Sequence, residues 1–487
     1  MKNLIILIVF SSIFIHTTSA KCLPRLQVSR DGHHLVDEQG KAFFYLADTG
    51  WELFHKLNRE QALQYLKDRK QKGFNVIQAV MLSENDGINS PNAYGDLPLT
   101  LDNLPLNTEG SNTEDEHAYD YWDHVDYIIQ KAAELEVYMG ALPCWGEYVV
   151  PREGNAIFNK IEEAYQFGYY VGNRYKKFTN IIWILGGDRH PDERKEGIDL
   201  WRAMAEGIAD GTNGTYLQDG IADYTTTLMT HHASVSSSKW FHNDAWIDFH
   251  MWGSYHALIN NIESIEKATF DWNLPNPKPT INGEPAYEKH PLNWMPENGC
   301  FSPYDVRQAA YWSVFSGACG YTYGCHPVWQ FYREGDKPIS NVQQFWYQAL
   351  NAPGATQVTF LKKLIDSRPF LQIKPDQDLL AEKSNDFISY VRATSGENYA
   401  FVYIPFGYPV KVNFGKISGK MIRAWWYNPR DGQARLIGEY KNTGSSVFDP
   451  PGLSEELSWL KTGSGCDWVL VLDDVAANYS QPGKIIE

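Results

Sequence analysis

Two acidic residues stand at the ends of short apolar segments, each with glycine beside it. Asp188 follows Gly186-Gly187 directly after the run Ile181-Ile182-Trp183-Ile184-Leu185, and Glu284 follows Ile281-Asn282-Gly283 and precedes Pro285. Glycine lets the backbone turn sharply out of an extended run, so each carboxylate is presented at a segment end. Two carboxyl groups flanking one bond are what glycosidic hydrolysis uses. One protonates the leaving oxygen, and the other attacks the anomeric carbon or activates water. The acid must keep its proton near neutral pH, which burial or a neighbouring carboxylate arranges. Asp48, Glu84, Asp86 and Glu147 occupy comparable ends and compete for these roles on chemistry alone.

The same segment ends carry rings and further polar groups. Trp51, Trp145, Trp252 and Trp329 are expected to offer flat faces to a sugar, and Asp48, Arg189, His231 and His232 to bind its polar groups. His256 is also at such an end. Adjacent residues on an extended segment point opposite ways, so His231 and His232 do not readily share one metal ion. The cysteines (Cys22, Cys144, Cys300, Cys319, Cys325, Cys466) match no zinc spacing, and their number does not select a disulfide pairing. Neither a metal nor an organic cofactor is expected. Phosphate-binding loops, dinucleotide fingerprints, nucleophile elbows and H-E-x-x-H do not occur in a supporting context.

The elements that must position these groups follow a rhythm from residue 41 onward. Apolar runs at 43–47, 76–82, 137–142, 181–185, 228–230, 247–251, 279–282 and 320–323 alternate with helical stretches. Asn58 is placed to cap the first helix and Gly73 to end it, while 156–177 and 342–366 read as further helices. Eight strand–helix units predict a (β/α)8 barrel of the TIM type, whose chemistry lies at the C-terminal ends of its strands. A doubly wound open sheet is the structural alternative. After Arg368-Pro369 the pattern changes to β-type runs at 387–393, 399–404, 410–414, 421–427 and 467–472, which predict a β-sandwich.

The expected layout is a signal peptide at 1–20, a catalytic barrel at 21–368 and a C-terminal domain at 369–487. Lys2, the apolar run to Phe14 and the ending Thr18-Ser19-Ala20 read as an export signal cleaved after Ala20, which implies a periplasmic or extracellular protein. That run is too short for a stable membrane span, and no later stretch is apolar for long enough. With 17 Trp, 29 Tyr and 23 Phe in 487 residues, the chain has the apolar material for a large core and is not disordered. A net charge of −16 argues against nucleic acid and anionic lipid as partners.

Several motifs together carry a resemblance. Phe44-Tyr45-Leu46-Ala47-Asp48-Thr49-Gly50-Trp51, Gly186-Gly187-Asp188, Ser237-Ser238-Lys239-Trp240-Phe241-His242 and Gly283-Glu284-Pro285 resemble the apiosidase-like barrels of glycoside hydrolase family 140. The tail, with Trp425-Trp426-Tyr427-Asn428-Pro429-Arg430-Asp431-Gly432 and Asp467-Trp468-Val469-Leu470-Val471-Leu472, resembles the β-domain that follows them, sometimes labelled collagen-binding. The resemblance implies a retaining endo-apiosidase that cleaves apiose-linked side chains from the galacturonan backbone of pectic rhamnogalacturonan II. It also implies Asp188 as acid/base and Glu284 as nucleophile. A related glycosidase acting on another plant glycan, such as an arabinofuranoside, and a catalytically silent carbohydrate binder are the other readings. An inverting mechanism stays open, because the carboxylate separation decides it. A chain at −16 acting on a polyanion needs a locally basic mouth, for which Arg152, Arg189, Lys239 and the strand-end histidines are candidates.

Overall fold

Eight short apolar runs form the strands β1 (Tyr45–Thr49), β2 (Val76–Leu82), β3 (Tyr138–Cys144), β4 (Ile181–Gly186), β5 (Met229–His232), β6 (His250–Gly253), β7 (Thr280–Glu284) and β8 (Gly320–Tyr323). Apart from half-buried Ile181 their residues are all buried, because helices cover one face and the barrel interior the other. All seven residues of β2 are buried, for example. The computed structural model describes residues 22–115, 117–152, 156–254, 256–257, 261–382, 391–451 and 466–484. The expected signal segment at 1–20 and the first part of the expected strand at 387–393 lie outside the described residues.

The strands pair in parallel in the order β5-β4-β3-β2-β1-β8-β7-β6. The ends of this sheet meet: Asp248 N–H donates to the Met229 carbonyl at 2.9 Å, and Gly253 N–H to the Ala233 carbonyl at 2.9 Å. Inside, Gln78 accepts from Tyr45 Oη (3.0 Å) and Thr322 Oγ1 (3.1 Å) and donates to the Gly283 carbonyl (3.0 Å), tying β1, β2, β7 and β8 together.

Helices follow the strands in turn: α1 (Arg59–Lys72), α2 (Tyr121–Glu134), α3 (Ile161–Tyr175), α4 (Gly197–Asn213), α5 (Ser238–Phe241), α6 (Asn261–Trp272), α7 (Pro303–Phe315) and α8 (Pro353–Asp366). Asn58 closes a capping box on α1, and Gly73 ends it with φ 109°. The helix expected over 342–366 is interrupted. A short helix, Trp346–Ala349, precedes α8, which starts at Pro353 because proline has no N–H to give a preceding turn. The strands expected at 228–230 and 247–251 run further toward their C-terminal ends, as β5 and β6.

A small antiparallel sheet (Leu26–Val28, Leu35–Asp37, Ala42–Phe43) precedes the barrel and was not foreseen. The C-terminal part contains β9 (Lys374–Pro375), β10 (Arg392–Ser395), β11 (Tyr399–Ile404), β12 (Val410–Asn413), β13 (Met421–Tyr427), β14 (Ala434–Lys441), β15 (Ser445–Phe448) and β16 (Trp468–Asp474). Six form an antiparallel sheet, β9-β10-β11-β16-β13-β14, and β12 pairs with β15. Alternation divides this sheet's two faces. Ala400, Val402, Ile404, Leu470 and Leu472 pack with Val410, Val412 and Phe448 of the small sheet. Tyr399, Phe401, Tyr403, Val469 and Val471 instead join the barrel's own core.

Candidate active site

β4 leaves the barrel through three consecutive left-handed residues: Gly186 (φ 92°), Gly187 (φ 131°) and Asp188 (φ 55°). A Cβ at 186 would stand 2.4 Å from the His232 carbonyl oxygen, and one at 187 would stand 2.7 Å from the Trp145 ring. Only glycine fits either position, because both the conformation and the space exclude a side chain. Asp188 adopts a conformation costly for a residue with a Cβ, and such strain is characteristic of functional positions. Across the barrel, Glu284 is the last residue of β7 and is 5% exposed.

Asp188, His232 and Glu284 each bring a polar side-chain atom within 4.8 Å of the other two. His232 Nε2 lies 3.2 Å from Glu284 Oε2, and His256 Nε2 lies 3.6 Å from Glu284 Oε1. The tautomer of His256 follows from its other nitrogen: Nδ1 accepts the Tyr287 N–H at 3.4 Å, which leaves Nε2 to carry the proton toward Glu284. Trp51 Nε1 donates to Tyr287 Oη at 3.1 Å, so one aromatic wall is hydrogen-bonded to the loop after β7.

The two carboxyl groups are driven apart in acidity. Burial, then the charge of Glu284, pushes Asp188 up to about 7, against the opposing pull of His232 and Arg189. Burial also pushes Glu284 up, but the contacts with His232 and His256 outweigh it and hold Glu284 well below the usual carboxylate range. These directions favour a pair that keeps one proton, on Asp188, below about pH 7. Glu84 is pushed well above its ordinary value by burial and then by Asp188, Glu52, Glu284 and Glu147.

These groups open into a cleft of about 440 Å³ at the C-terminal ends of the strands. Its walls are the rings of Trp51, Trp145, Tyr287, Trp294 and Trp329. Its acids are Glu84, Glu147, Asp188 and Glu284, and Arg152, Arg189 and His256 complete the lining. Trp51, Trp145, Arg189 and Trp329 were expected around the acid pair and are found there. His232 sits behind the cleft wall, against Glu284.

Three residues expected to bind substrate are corrected by the pleat of their strands. Asp48 points outward, where it accepts from Tyr65 Oη (2.5 Å) and Arg69 Nε (2.7 Å) of α1. His231 is the outward neighbour of inward His232 and packs against Trp201 of α4 and Phe241 of α5, with ring centroids at 5.5 and 5.0 Å. Trp252 donates to Thr280 Oγ1 (2.9 Å), which in turn donates to Asp271 of α6. Side chains alternate across a strand, so one step in register exchanges the lumen for the helix layer. Of the competing acids, Glu84 and Glu147 reach the cleft, whereas Asp86 is on an exposed turn with its carboxylate accepting from Asn89 (2.7 Å). Lys239 pairs with Asp192 at 3.1 Å and does not line the cleft. Sequence reasoning missed Tyr287 and Trp294, both in the loop after β7. Their one sequence signal is an aromatic a few residues beyond a strand-end acid.

The family model for the apiosidase-like catalytic domain matches residues 29–372. A model described as "Putative collagen-binding domain of a collagenase" matches residues 374–473. Among solved structures, one named a glycoside hydrolase is 34% identical with a TM-score of 0.81, covering 93% of this chain and 97% of its own. Another, described as a glycoside hydrolase family 5 protein from Bacteroides vulgatus ATCC 8482, is 32% identical with a TM-score of 0.82, covering 94% and 95%. No curated protein sequence matches the chain significantly. With these relatives, the parallel barrel and its C-terminal β-domain define a glycoside hydrolase. More narrowly, the chain belongs to the apiosidase-like family.

Proposed function

We propose that the protein is a retaining endo-apiosidase, exported by its N-terminal segment, that releases apiose-linked side chains from the galacturonan backbone of rhamnogalacturonan II. One observation carries the mechanism: Asp188, pushed up to about 7, and Glu284, held well below the usual carboxylate range, bring their oxygens within 4.8 Å of each other. Oxygens this close fall short of the roughly 6.5–9.5 Å that leaves room for a water in inversion, which favours retention. Glu284 attacks the anomeric carbon as its bond to the leaving oxygen breaks, and Asp188 gives its proton to that oxygen. Asp188, now a carboxylate, takes a proton from water. The water oxygen attacks the same carbon and frees Glu284, so each group returns to its starting state. The tryptophan walls supply apolar faces for the C–H side of a sugar ring. The choice of apiose rests on the family.

The test is mass spectrometry of products from rhamnogalacturonan II side-chain substrate, with wild type beside Glu284→Gln. The expected result is an oligosaccharide bearing apiose at its new reducing end, absent from the variant. The initial anomer, read by NMR, should retain its configuration. A folded wild type that releases nothing removes the apiosidase reading, and turnover of an arabinofuranoside by that same protein would replace it.

A further inference from the structure

The charge of the cleft poses a problem that two arginines answer. The chain carries a net charge of −16 and the ionised Glu284 lies in the cleft, so an acidic glycan would be repelled unless a cation met it locally. We propose that Arg189 and Arg152 form an anion subsite beside Asp188 that takes the carboxylate of a uronate residue on the leaving side of the scissile bond. The identity of that sugar rests on the hydrolase reading above, while the subsite itself rests on charge and geometry.

Arg189 is 6% exposed and lines the cleft. Its Nε–H has no acceptor among the described residues, and the nearest acidic oxygen, Glu147 Oε2, is 3.9 Å from Nη2, too far for a hydrogen bond. A buried guanidinium donor without an acceptor is costly, and its planar fork matches a carboxylate held by two parallel bonds. The contrast with the other buried arginines is direct. Arg307 and Arg368 each hold an aspartate with two nitrogens, with contacts of 2.7–3.0 Å, and Arg69 holds Asp48 at 2.7 Å.

Position gives the subsite its side. Arg189 is the residue after Asp188, and the sugar that receives the proton of Asp188 is the one that leaves. Both residues line the same cleft, so the subsite is assigned to the side of the proton donor, where the leaving sugar lies. Arg152 comes from the loop after β3, the strand paired with β4, and lines the same cleft. Lys239, another candidate cation for this mouth, is occupied by Asp192.

The test is calorimetric binding of an oligogalacturonide and of its carboxyl-reduced, neutral counterpart to the full chain. The wild type should bind the acidic oligosaccharide about tenfold tighter or more, a difference that shrinks with added salt. Arg189→Gln should lose that preference. The more exposed Arg152→Gln should weaken it, and it carries the test if the buried substitution fails to fold. Equal binding of both ligands by wild type, or an unchanged preference in folded variants, overturns the subsite. An acid preference without cleavage of rhamnogalacturonan II leaves the subsite standing and removes the apiosidase reading. Cleavage without an acid preference does the reverse.

Discussion

At the scale of residues, one strained turn and two histidines set the acidity of a carboxyl pair. The left-handed backbone at 186–188 delivers Asp188 toward Glu284, while His232 and His256 stabilise the charge on Glu284. The pH dependence follows from the two directions. Asp188, raised to about 7, is protonated below that pH and loses its donor proton above it. Glu284, lowered, stays ionised below the usual carboxylate range. We predict that kcat/KM falls as pH rises through about 7 and that its acid limb lies below an ordinary glutamate value. His232→Ala removes a contact that lowers both groups, so both limbs should move to higher pH. Measuring kcat/KM against pH for both proteins checks this. Undiminished activity well above pH 7 would remove Asp188 from the donor role.

At the scale of elements, the backbones of α3 and α4 approach unusually closely because glycines face each other. A Cβ at Gly172 would stand 2.2 Å from the Ile208 carbonyl oxygen, and one at Gly207 would stand 2.1 Å from that of Tyr165. These helices follow β3 and β4, which lead into Trp145 and Asp188. A side chain in a full contact forces the helices apart, at a cost of about 1–3 kcal/mol. Gly207→Ala and Gly172→Ala should each lower the thermal midpoint by about 1–3 °C. An unchanged midpoint would mean that the helices separate freely. The buried thiols Cys144, Cys319 and Cys325 also belong to this scale. Burial pushes each well above its ordinary value, so they act as packing groups.

At the scale of the whole molecule, barrel and β-domain share one core. Tyr311 of α7 stacks on Tyr403 (centroids 4.8 Å, planes 12° apart), and Phe315 stacks on Phe401. Two buried ion pairs cross the same junction, Arg307 with Asp467 and Arg368 with Asp473, both at 2.7 Å. Removing one partner leaves a buried charge, which typically costs roughly 3–5 kcal/mol. Arg307→Ala should reduce stability toward the lower end of that range, since Arg430 still reaches Asp467 at 3.1 Å. Denaturant unfolding followed by tryptophan fluorescence measures it. A separate early transition of the β-domain in wild type would contradict the shared core.

Hydrophobic period is a local property, so the eight strand–helix units, the change of pattern after Pro369 and the cap and stop of α1 were all legible in the amino-acid sequence. The glycines beside Asp188 and Glu284 marked the strand ends for the same reason. Strand parity was not legible. Whether Asp48, His231 or Trp252 faces lumen or helix depends on register, which is set by pairing with neighbouring strands distant in sequence. The strands β14 and β15 escaped notice because their residues are largely polar or exposed and gain their hydrogen bonds from partners elsewhere in the chain. Tyr287 and Trp294 reach the cleft along a loop held by backbone hydrogen bonds to His256, beyond β6, and to Gly324 and His326, beyond β8. Residue types and local patterns settle which groups are available for chemistry. Which of them meet is set by the fold, because the approach of Asp188 to Glu284 arises from the closure of a barrel across residues 96 positions apart.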